Sequence, residues 1–168
     1  KETVAITNQK AARDLSPAAK STETKLQGIT ISVSTKAYAS PSTSAKVIKS
    51  YTAGTALKFY NHSKSWYKAK IKISGKWRTV YLQKRSIETI TKNSVKVEAI
   101  AKLNPTILYE RPSTSTKKVN QYNKGYILKL YTYTKSWYKA KVKVNGKNKT
   151  AYVQKKSVRI AKPSSKLE

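Results

Sequence analysis

The chain has 168 residues, and it carries 36 Lys and Arg against 7 Asp and Glu, which gives a formal net charge of +29. This charge opposes a compact fold by self-repulsion and exceeds the roughly 2 to 8 charges that solubility requires, so it indicates a polyanionic partner. The absence of Cys excludes disulfides and thiolate metal sites, and no apolar run approaches the ~18 residues of a membrane-spanning helix.

Residues 1–28 differ from the rest of the chain, because they hold three of its seven acids, Glu2, Asp14 and Glu23. Gln9–Leu15 is predicted to form a helical turn that ends before Pro17. We interpret residues 1–28 as a linker; the alternative is that Thr3–Ile6 is the last strand of a preceding, truncated repeat. The chain starts at Lys1 without a signal peptide and is interpreted as an excised fragment.

The residues that follow read as short strands separated by turn signals. Ile29, Ile31 and Val33 alternate with Thr and Ser, as in a half-buried strand. Gly54 and Ser74-Gly75 mark turns. The remaining predicted strands of this half are Lys46–Tyr51, Ala56–Tyr60, Trp66–Ile73 and Trp77–Leu82.

The sequence contains an internal repeat. Residues 38–87 recur as residues 109–158 at a constant offset of 71, with 26 identical positions of 50. Five or so short strands in each copy predict an all-β chain of two tandem small β-barrels. The predicted organisation is a linker or repeat remnant at 1–28, repeat 1 at 29–90, a connection at 91–99, repeat 2 at 100–160, and a tail at 161–168 that ends in a Leu167-Glu168 cloning scar. Whether the copies touch or share a strand stays open.

The residue inventory argues against catalysis. The only His is His62, whose counterpart in repeat 2 is Tyr133. Residues 29–87 contain no acid, and the equivalent span of repeat 2 contains only Glu110. Hydrolysis of a glycan needs two carboxylates, a metal hydrolase needs clustered ligands, and a Ser nucleophile needs a base. We therefore expect a non-enzyme without cofactor or metal.

In contrast to catalysis, binding is supported by the residues of the strand Trp66–Ile73. Period-two alternation places Tyr67 and Ala69 on a core face and an aromatic residue followed by three lysines on the other face. Of the 36 cations, 31 are Lys, which favours diffuse attraction to a charged polymer over base readout by Arg forks. The alternatives are that the lysines only guard an edge against aggregation and that the Trp side chains are core residues. The candidate ligand residues are Trp66, Lys68, Lys70 and Lys72, with Trp137, Lys139, Lys141 and Lys143 in repeat 2 and Trp77 in repeat 1 only.

The pattern Tyr38-x-x-Pro41-Ser42-x-Ser44, Gly54, Ser65-Trp66-Tyr67-Lys68, Gly75-Lys76 and Tyr81-Leu82 resembles bacterial Src-homology-3-like domains. The chain is also similar to the basic GW modules of Gram-positive surface proteins. It departs from both, because Val80 and Ala151 replace the glycine before the final aromatic residue and the Gly-Trp dipeptide is missing. The resemblance implies Src-homology-3-like barrels with a ligand groove near the loop after the first strand, at Tyr38, Pro41, Ser42, Ser44 and at Tyr109, Pro112, Ser113, Ser115.

Members of these families target autolysins, amidases and phage endolysins to the cell wall. The resemblance therefore implies a secreted, monomeric module at a Gram-positive cell wall that binds teichoic or lipoteichoic acid, peptidoglycan, or both, and that anchors a peptidoglycan hydrolase. One alternative is recognition of peptidoglycan peptide bridges without dependence on a polyanion. A second is binding of nucleic acid or of a heparin-like glycan, since interleaved aromatic and basic residues suit single strands.

Overall fold

The computed structural model describes residues 23–161, and these form two seven-stranded antiparallel sheets, one from each repeat. The first sheet contains β1 (Leu26–Thr30), β2 (Ser34–Tyr38), β3 (Val47–Thr52), β4 (Ala56–Asn61), β5 (Trp66–Ile73), β6 (Lys76–Gln83) and β7 (Ile87–Thr89). The second contains β8 (Lys96–Ala101), β9 (Thr106–Tyr109), β10 (Lys118–Tyr122), β11 (Ile127–Thr132), β12 (Trp137–Val144), β13 (Lys147–Gln154) and β14 (Val158–Ile160). A 3-10 turn precedes the last strand of each sheet, at Lys84–Ser86 and Lys155–Ser157.

Both sheets have the same strand order, β3-β2-β6-β5-β4-β1-β7 in repeat 1 and β10-β9-β13-β12-β11-β8-β14 in repeat 2. The all-β class and the tandem arrangement of two small domains are confirmed. The two sheets are not closed barrels, because closure requires the end strands to pair, and the end strands β3 and β7 are not neighbours in the sheet.

The hairpin of β5 and β6 is the longest feature of repeat 1, with eight residues in each strand paired from Trp66 and Gln83 to Ile73 and Lys76. Its turn holds Ser74 at φ 50° and Gly75 at φ 81°, a pair of positive φ values that matches the right-handed twist of a two-residue hairpin. Repeat 2 uses Asn145-Gly146 in the same way, at φ 51° and 78°. The Ser74-Gly75 and Asn145-Gly146 turns that the sequence predicts are therefore present in the structure.

The start of repeat 1 differs from its prediction. Ile29 is fully buried, but Ile31 and Val33 are 42% and 90% exposed, so they do not continue its face. The chain leaves the sheet after Thr30, and a second strand begins at Ser34. The alternation of three aliphatic residues thus covers one strand end and a bend, and β7, with only three residues, raises the count to seven strands.

Each repeat has its own apolar core. In repeat 1, Ala37, Phe59, Ala69, Val80, Leu82 and Ile87 are buried together. In repeat 2, the core includes Leu108, Leu128, Leu130, Tyr138, Val153 and Val158. Small cores of this size leave each domain modestly stable, so a contact between the domains contributes a sizeable share of the total.

The two repeats meet at a contact that we call the joint. Its apolar part combines residues of both repeats, namely Ile29, Tyr133 and Trp137, with Ile90, Tyr109 and Tyr152 packed against them. A second part lies at Gly54, where an added Cβ would stand 3.2 Å from the Cβ of Ser113. The two copies therefore touch, which the sequence alone left open.

The polar part of the joint centres on Glu88, which is only 9% exposed. Its carboxylate accepts hydrogen bonds from Thr134 Oγ1, at 2.7 Å, and from Ser136 Oγ. Nearby, the backbone N–H of Thr91 donates to the carbonyl of Tyr133 at 2.7 Å. Hydrogen bonds to a charged group stabilise by about 1.5–3 kcal/mol, and leaving a buried carboxylate without them costs more. Glu88 therefore stabilises the contact between the two repeats.

Candidate binding surfaces

The lysines of β5 and β12 project from the sheet as the alternation predicts. Tyr67 packs on Phe59 with 4.3 Å between ring centroids, Ala69 is buried, and Ile71 packs against the core. Because successive strand residues point to opposite faces, Lys68, Lys70 and Lys72 share the outer face. We call these residues, and Lys139, Lys141 and Lys143 in repeat 2, the lysine rows.

A cleft lies over the lysine row of repeat 1. It measures about 560 Å³ and is lined by Glu23, Tyr60, Lys68, Ala69, Lys70, Thr79 and Tyr81. Lys68 Nζ lies 3.0 Å from Glu23 Oε2, and both side chains remain partly exposed. An exposed ion pair of this kind is worth at most about 1 kcal/mol, so a stronger polyanion can displace Glu23.

The charge of the described residues is almost entirely uncompensated. Residues 29–87 hold 12 cations and no acid, and residues 100–158 hold 14 cations and one acid. Within residues 23–161 the pair of Lys68 and Glu23 is the single ion pair within 4.0 Å. The lysine rows therefore present positive charge to solvent.

Trp77 continues the row of repeat 1 across the hairpin. It is 68% exposed, it is the β6 partner of Lys72, and Lys72 Nζ lies 5.8 Å from the centre of its ring. Most of this large aromatic side chain remains in water, so it gains little from burial in the fold. The structure places it beside the lysine row as a flat surface open to a ligand.

Trp66 and Trp137 occupy equivalent positions but differ in surroundings. Each makes an edge-to-face contact, Trp66 with Tyr38 at 5.8 Å and Trp137 with Tyr109 at 6.0 Å between centroids. Trp66 is half-buried, whereas Trp137 is 6% exposed and packs in the joint. Trp137 is thus a joint residue in this structure, and Trp66 keeps an open side.

We call the ring groups around these Trp residues the aromatic clusters. Tyr38 pairs with Tyr81, and His62 lies 4.9 Å from the Tyr81 ring, just as Tyr133 lies 5.0 Å from Tyr152. The cluster of repeat 1 is Tyr38, His62, Trp66 and Tyr81, and the cluster of repeat 2 is Tyr109, Tyr133, Trp137 and Tyr152. Burial raises the pKa of Tyr133 far above its usual value, with a further contribution from neighbouring Tyr152, and burial also raises the pKa of Tyr152.

In the two Pro-Ser loops, the serine hydroxyls make hydrogen bonds within the loop itself. Ser42 Oγ and Ser44 Oγ are 2.8 Å apart, and Ser113 Oγ and Ser115 Oγ are 2.7 Å apart. In each loop, the second serine also donates its backbone N–H to the first serine Oγ at 3.2 Å. These hydroxyls shape the loops, so a ligand would have to compete with local hydrogen bonds.

The two loops also differ in exposure. Pro41 is exposed and Ser42 half-buried, whereas Pro112 and Ser113 are buried, because they lie under Gly54 of repeat 1. On repeat 1, Trp66 and Ser42 are therefore partly accessible and Ser44 is exposed, whereas Tyr38 is buried, at 8% exposed. Their counterparts Tyr109, Trp137 and Ser113 face the joint, while Ser115 remains exposed.

The joint was not predicted from the sequence. The available signal was a set of differences between copies that are otherwise alike. Tyr133 and Thr134 stand where repeat 1 has His62 and Ser63, and Glu88 stands where repeat 2 has the exposed Arg159. Positions that differ between the two repeats, while the residues around them are identical, indicate surfaces that make different contacts in the two repeats.

Together these features define a pair of small all-β domains with lysine-rich outer faces. No known protein family model and no curated protein matches the chain. Among solved structures, it is similar to NlpC1 from Trichomonas vaginalis, with 13% identity, a TM-score of 0.33, and coverage of 81% of this chain and 46% of that one. It is also similar to the native structure of CBDP35, with 15% identity, a TM-score of 0.32, and coverage of 83% and 99%.

A second Trichomonas vaginalis protein, NlpC2, gives 11% identity and a TM-score of 0.31, with coverage of 82% of this chain and 48% of that one. The chain thus spans about half the length of the two NlpC proteins that it matches. Within residues 23–161, no helix has the length and apolarity needed to cross a bilayer.

Proposed function

We propose that the chain is a non-catalytic targeting unit of a Gram-positive cell wall, which binds teichoic or lipoteichoic acid through its lysine rows. Peptidoglycan is its second or joint ligand, and the unit holds a wall hydrolase on its substrate. The observation that carries the proposal is the pair of lysine rows on open strand faces, with a single ion pair among residues 23–161.

Strand geometry suits this ligand class. Alternate residues of a strand lie about 7 Å apart, so each row offers three cations at even spacing. A polymer with regularly repeated negative charges can contact several of them at once, and each contact is weak because the groups are solvated. Two rows on one chain then raise the apparent affinity through effective concentration.

Two further observations support the proposal. Trp77 extends the row of repeat 1 with an exposed ring, a surface suited to the apolar face of a sugar or polyol. The chain also resembles bacterial Src-homology-3-like domains in its Pro-Ser-Thr-Ser loop and its Ser-Trp-Tyr-Lys strand, and such domains act as wall-targeting modules.

The test is a pull-down on whole walls, on walls stripped of teichoic acid, and on immobilised lipoteichoic acid. We expect binding to whole walls and to lipoteichoic acid, much less binding to stripped walls, and a steep loss of binding as salt rises above about 0.15 M. Equal retention on stripped walls would favour peptide bridges of peptidoglycan as the ligand. Binding that does not change with salt would contradict the electrostatic mechanism.

A gel shift with single-stranded nucleic acid at the same salt separates the remaining alternative. Binding of nucleic acid as tight as binding of lipoteichoic acid would show that the rows recognise any polyanion. A heparin-like glycan in the same assay gives the third comparison.

A further inference from the structure

The joint shows how the aromatic cluster of repeat 2 holds a peptide segment. The segment is Glu88–Thr91, which continues from strand β7. It offers a carboxylate to Thr134 and Ser136, an aliphatic side chain to the rings at Ile90, and a backbone N–H at Thr91. This contact defines a ligand chemistry, namely a peptide in which a glutamate is followed two positions later by an aliphatic residue.

Repeat 1 has the same hydroxyl donors and the same loop geometry. Ser63 and Ser65 stand at the positions of Thr134 and Ser136. In each loop, the backbone N–H of the first of these residues donates to the carbonyl of the next Trp, at 3.0 Å in repeat 1 and 3.1 Å in repeat 2. The ring contacts of the two clusters agree within 0.2 Å. Repeat 1 therefore presents a surface of the same shape as the one that holds Glu88–Thr91.

A cationic cleft adjoins the serines of repeat 1. It measures about 490 Å³ and is lined by Lys64, Ser65, Gln83, Lys84 and Arg85. The backbone N–H of Lys84 donates to the carbonyl of Ser65 at 2.9 Å, which ties the cations to the loop, and the equivalent bond in repeat 2 has the same length. Residues 29–87 contain no acid, so repeat 1 itself brings no carboxylate to this cleft. A carboxylate that approaches Ser65 therefore enters a positive potential.

This surface of repeat 1 is open where its counterpart is covered. Ser63 and Ser65 are exposed and Trp66 is half-buried, whereas Thr134 and Trp137 are 1% and 6% exposed. We call Ser63, Ser65, the open side of Trp66 and the adjoining cleft the acceptor site. In a second copy of the chain, the carboxylate of Glu88 is buried in that copy's own joint. The chemistry of the acceptor site therefore favours an acidic peptide from a different protein.

We propose that the acceptor site binds an acidic peptide segment of a partner protein, in which a glutamate is followed two positions later by an aliphatic residue. The glutamate carboxylate accepts hydrogen bonds from the hydroxyls of Ser63 and Ser65, beside the cations of the cleft. The aliphatic side chain packs against the open side of Trp66. This site differs from the lysine rows in its residues and in its ligand, so the proposal does not rest on the binding of a wall polymer.

The test is a titration of the isotope-enriched full chain, followed by NMR through the indole N–H resonances of its three Trp residues. The probe is a synthetic peptide with capped ends and the sequence of residues 86–91, Ser-Ile-Glu-Thr-Ile-Thr. We expect a saturable shift of the Trp66 resonance. The Trp77 resonance should stay constant because Trp77 pairs with Lys72 near the far end of the β5–β6 hairpin, and the Trp137 resonance should stay constant because the joint covers that ring.

Matched peptides and variants test the recognition pattern. A peptide with Gln in place of its Glu, and a peptide of the same composition in scrambled order, should each bind about tenfold more weakly than the probe, because each loses the hydrogen-bonded charge or its spacing from the aliphatic residue. In the protein, the double substitution Ser63→Ala and Ser65→Ala should weaken binding of the probe by about the same factor. The control Ser50→Ala, at an exposed serine of β3, should leave it unchanged.

Four outcomes would overturn the proposal. The first is a Trp66 resonance that does not shift, and the second is equal affinity for the probe and the scrambled peptide, which would indicate attraction by charge alone. The third is a shift of Trp137 in place of Trp66, because the peptide would then displace the chain's own segment from the joint. The fourth is an equal shift of Trp66 by lipoteichoic acid alone, because the acceptor site would then belong to the polymer-binding surface.

Discussion

Identical residues at equivalent positions of the two repeats can differ in their surroundings. Trp66 and Trp137 have the same ring neighbours, yet Trp137 is 6% exposed and Trp66 is half-buried. The difference lies in what approaches each ring, since Ile29 and Ile90 of repeat 1 pack in the group that contains Trp137. The same residue at equivalent positions of the two repeats therefore need not have the same role.

The three Trp residues give a prediction about stability and binding. Trp137→Ala removes a ring from the joint and should destabilise the chain by about 3–5 kcal/mol. Trp77→Ala alters an exposed residue and should change stability by about 0.5 kcal/mol or less, while it weakens retention on walls. Chemical unfolding and wall pull-down measure the two effects. Unchanged wall retention in Trp77→Ala would show that this ring does not contact the ligand.

Tyr133 predicts how stability responds to alkali. Burial raises its pKa, so the folded state favours the neutral phenol. The stability that this provides is complete below pH 10, the ordinary value, and is lost as the pH rises above it, because the unfolded state ionises first. Unfolding of Tyr133→Phe should therefore depend less on pH between about 10 and 12 than that of the parent chain. Tyr126→Phe, at a 53% exposed ring, is the control, and an identical pH dependence in both variants would contradict the prediction.

At the scale of elements, the strands with strong local signals were predictable. The period of two in Trp66–Ile73, followed by Ser-Gly or Asn-Gly, predicts the hairpin of β5 and β6 and that of β12 and β13. The face of the lysine rows follows from the same period. These features depend only on neighbours along the chain, so one sequence is enough to predict them.

Features that depend on distant contacts were not predictable in the same way. Ile31 and Val33 continue an alternating pattern, but the chain bends there to begin β2. The open sheet and the three-residue β7 depend on pairing with β1. The joint links Glu88 to Thr134 across 46 residues, and no local pattern marks such a contact.

The lysine row of repeat 1 gives a prediction at this scale. Replacement of Lys68, Lys70 and Lys72 by Gln should weaken binding to lipoteichoic acid by about tenfold, roughly 1.4 kcal/mol, because aligned charges are lost. The matched control replaces the exposed Lys36, Lys46 and Lys58, which removes the same net charge elsewhere. Titration of both variants against lipoteichoic acid compares them. An equal loss of affinity would mean that net charge, and not the row, determines binding.

At the scale of the whole molecule, the joint couples two small domains. A shared apolar cluster and a buried carboxylate make the unfolding of one repeat costly for the other. Each lysine row is then held at a fixed position relative to the other row. A rigid pair of this kind binds a repetitive polymer with less loss of freedom than two independent modules.

Coupled unfolding can be measured by calorimetry. The parent chain should unfold in one transition, and Glu88→Arg should separate it into two, because an arginine beside two hydroxyl donors leaves a buried charge unpaired at a cost of about 3–5 kcal/mol. Glu110→Arg makes the same charge change at an exposed position and should keep one transition. Two transitions in the parent chain would show that the joint does not couple the repeats.

The joint also bears on self-assembly. It is a head-to-tail contact between unlike surfaces, and such contacts, when repeated without closure, produce open filaments. At the end of repeat 2, Arg159 occupies the position of Glu88 and is exposed. On another molecule its guanidinium would meet Lys64, Lys84 and Arg85 beside Ser65, and this like-charge repulsion would oppose docking. We therefore expect Arg159 to disfavour the docking of another molecule and to protect the chain from fibre growth at high concentration.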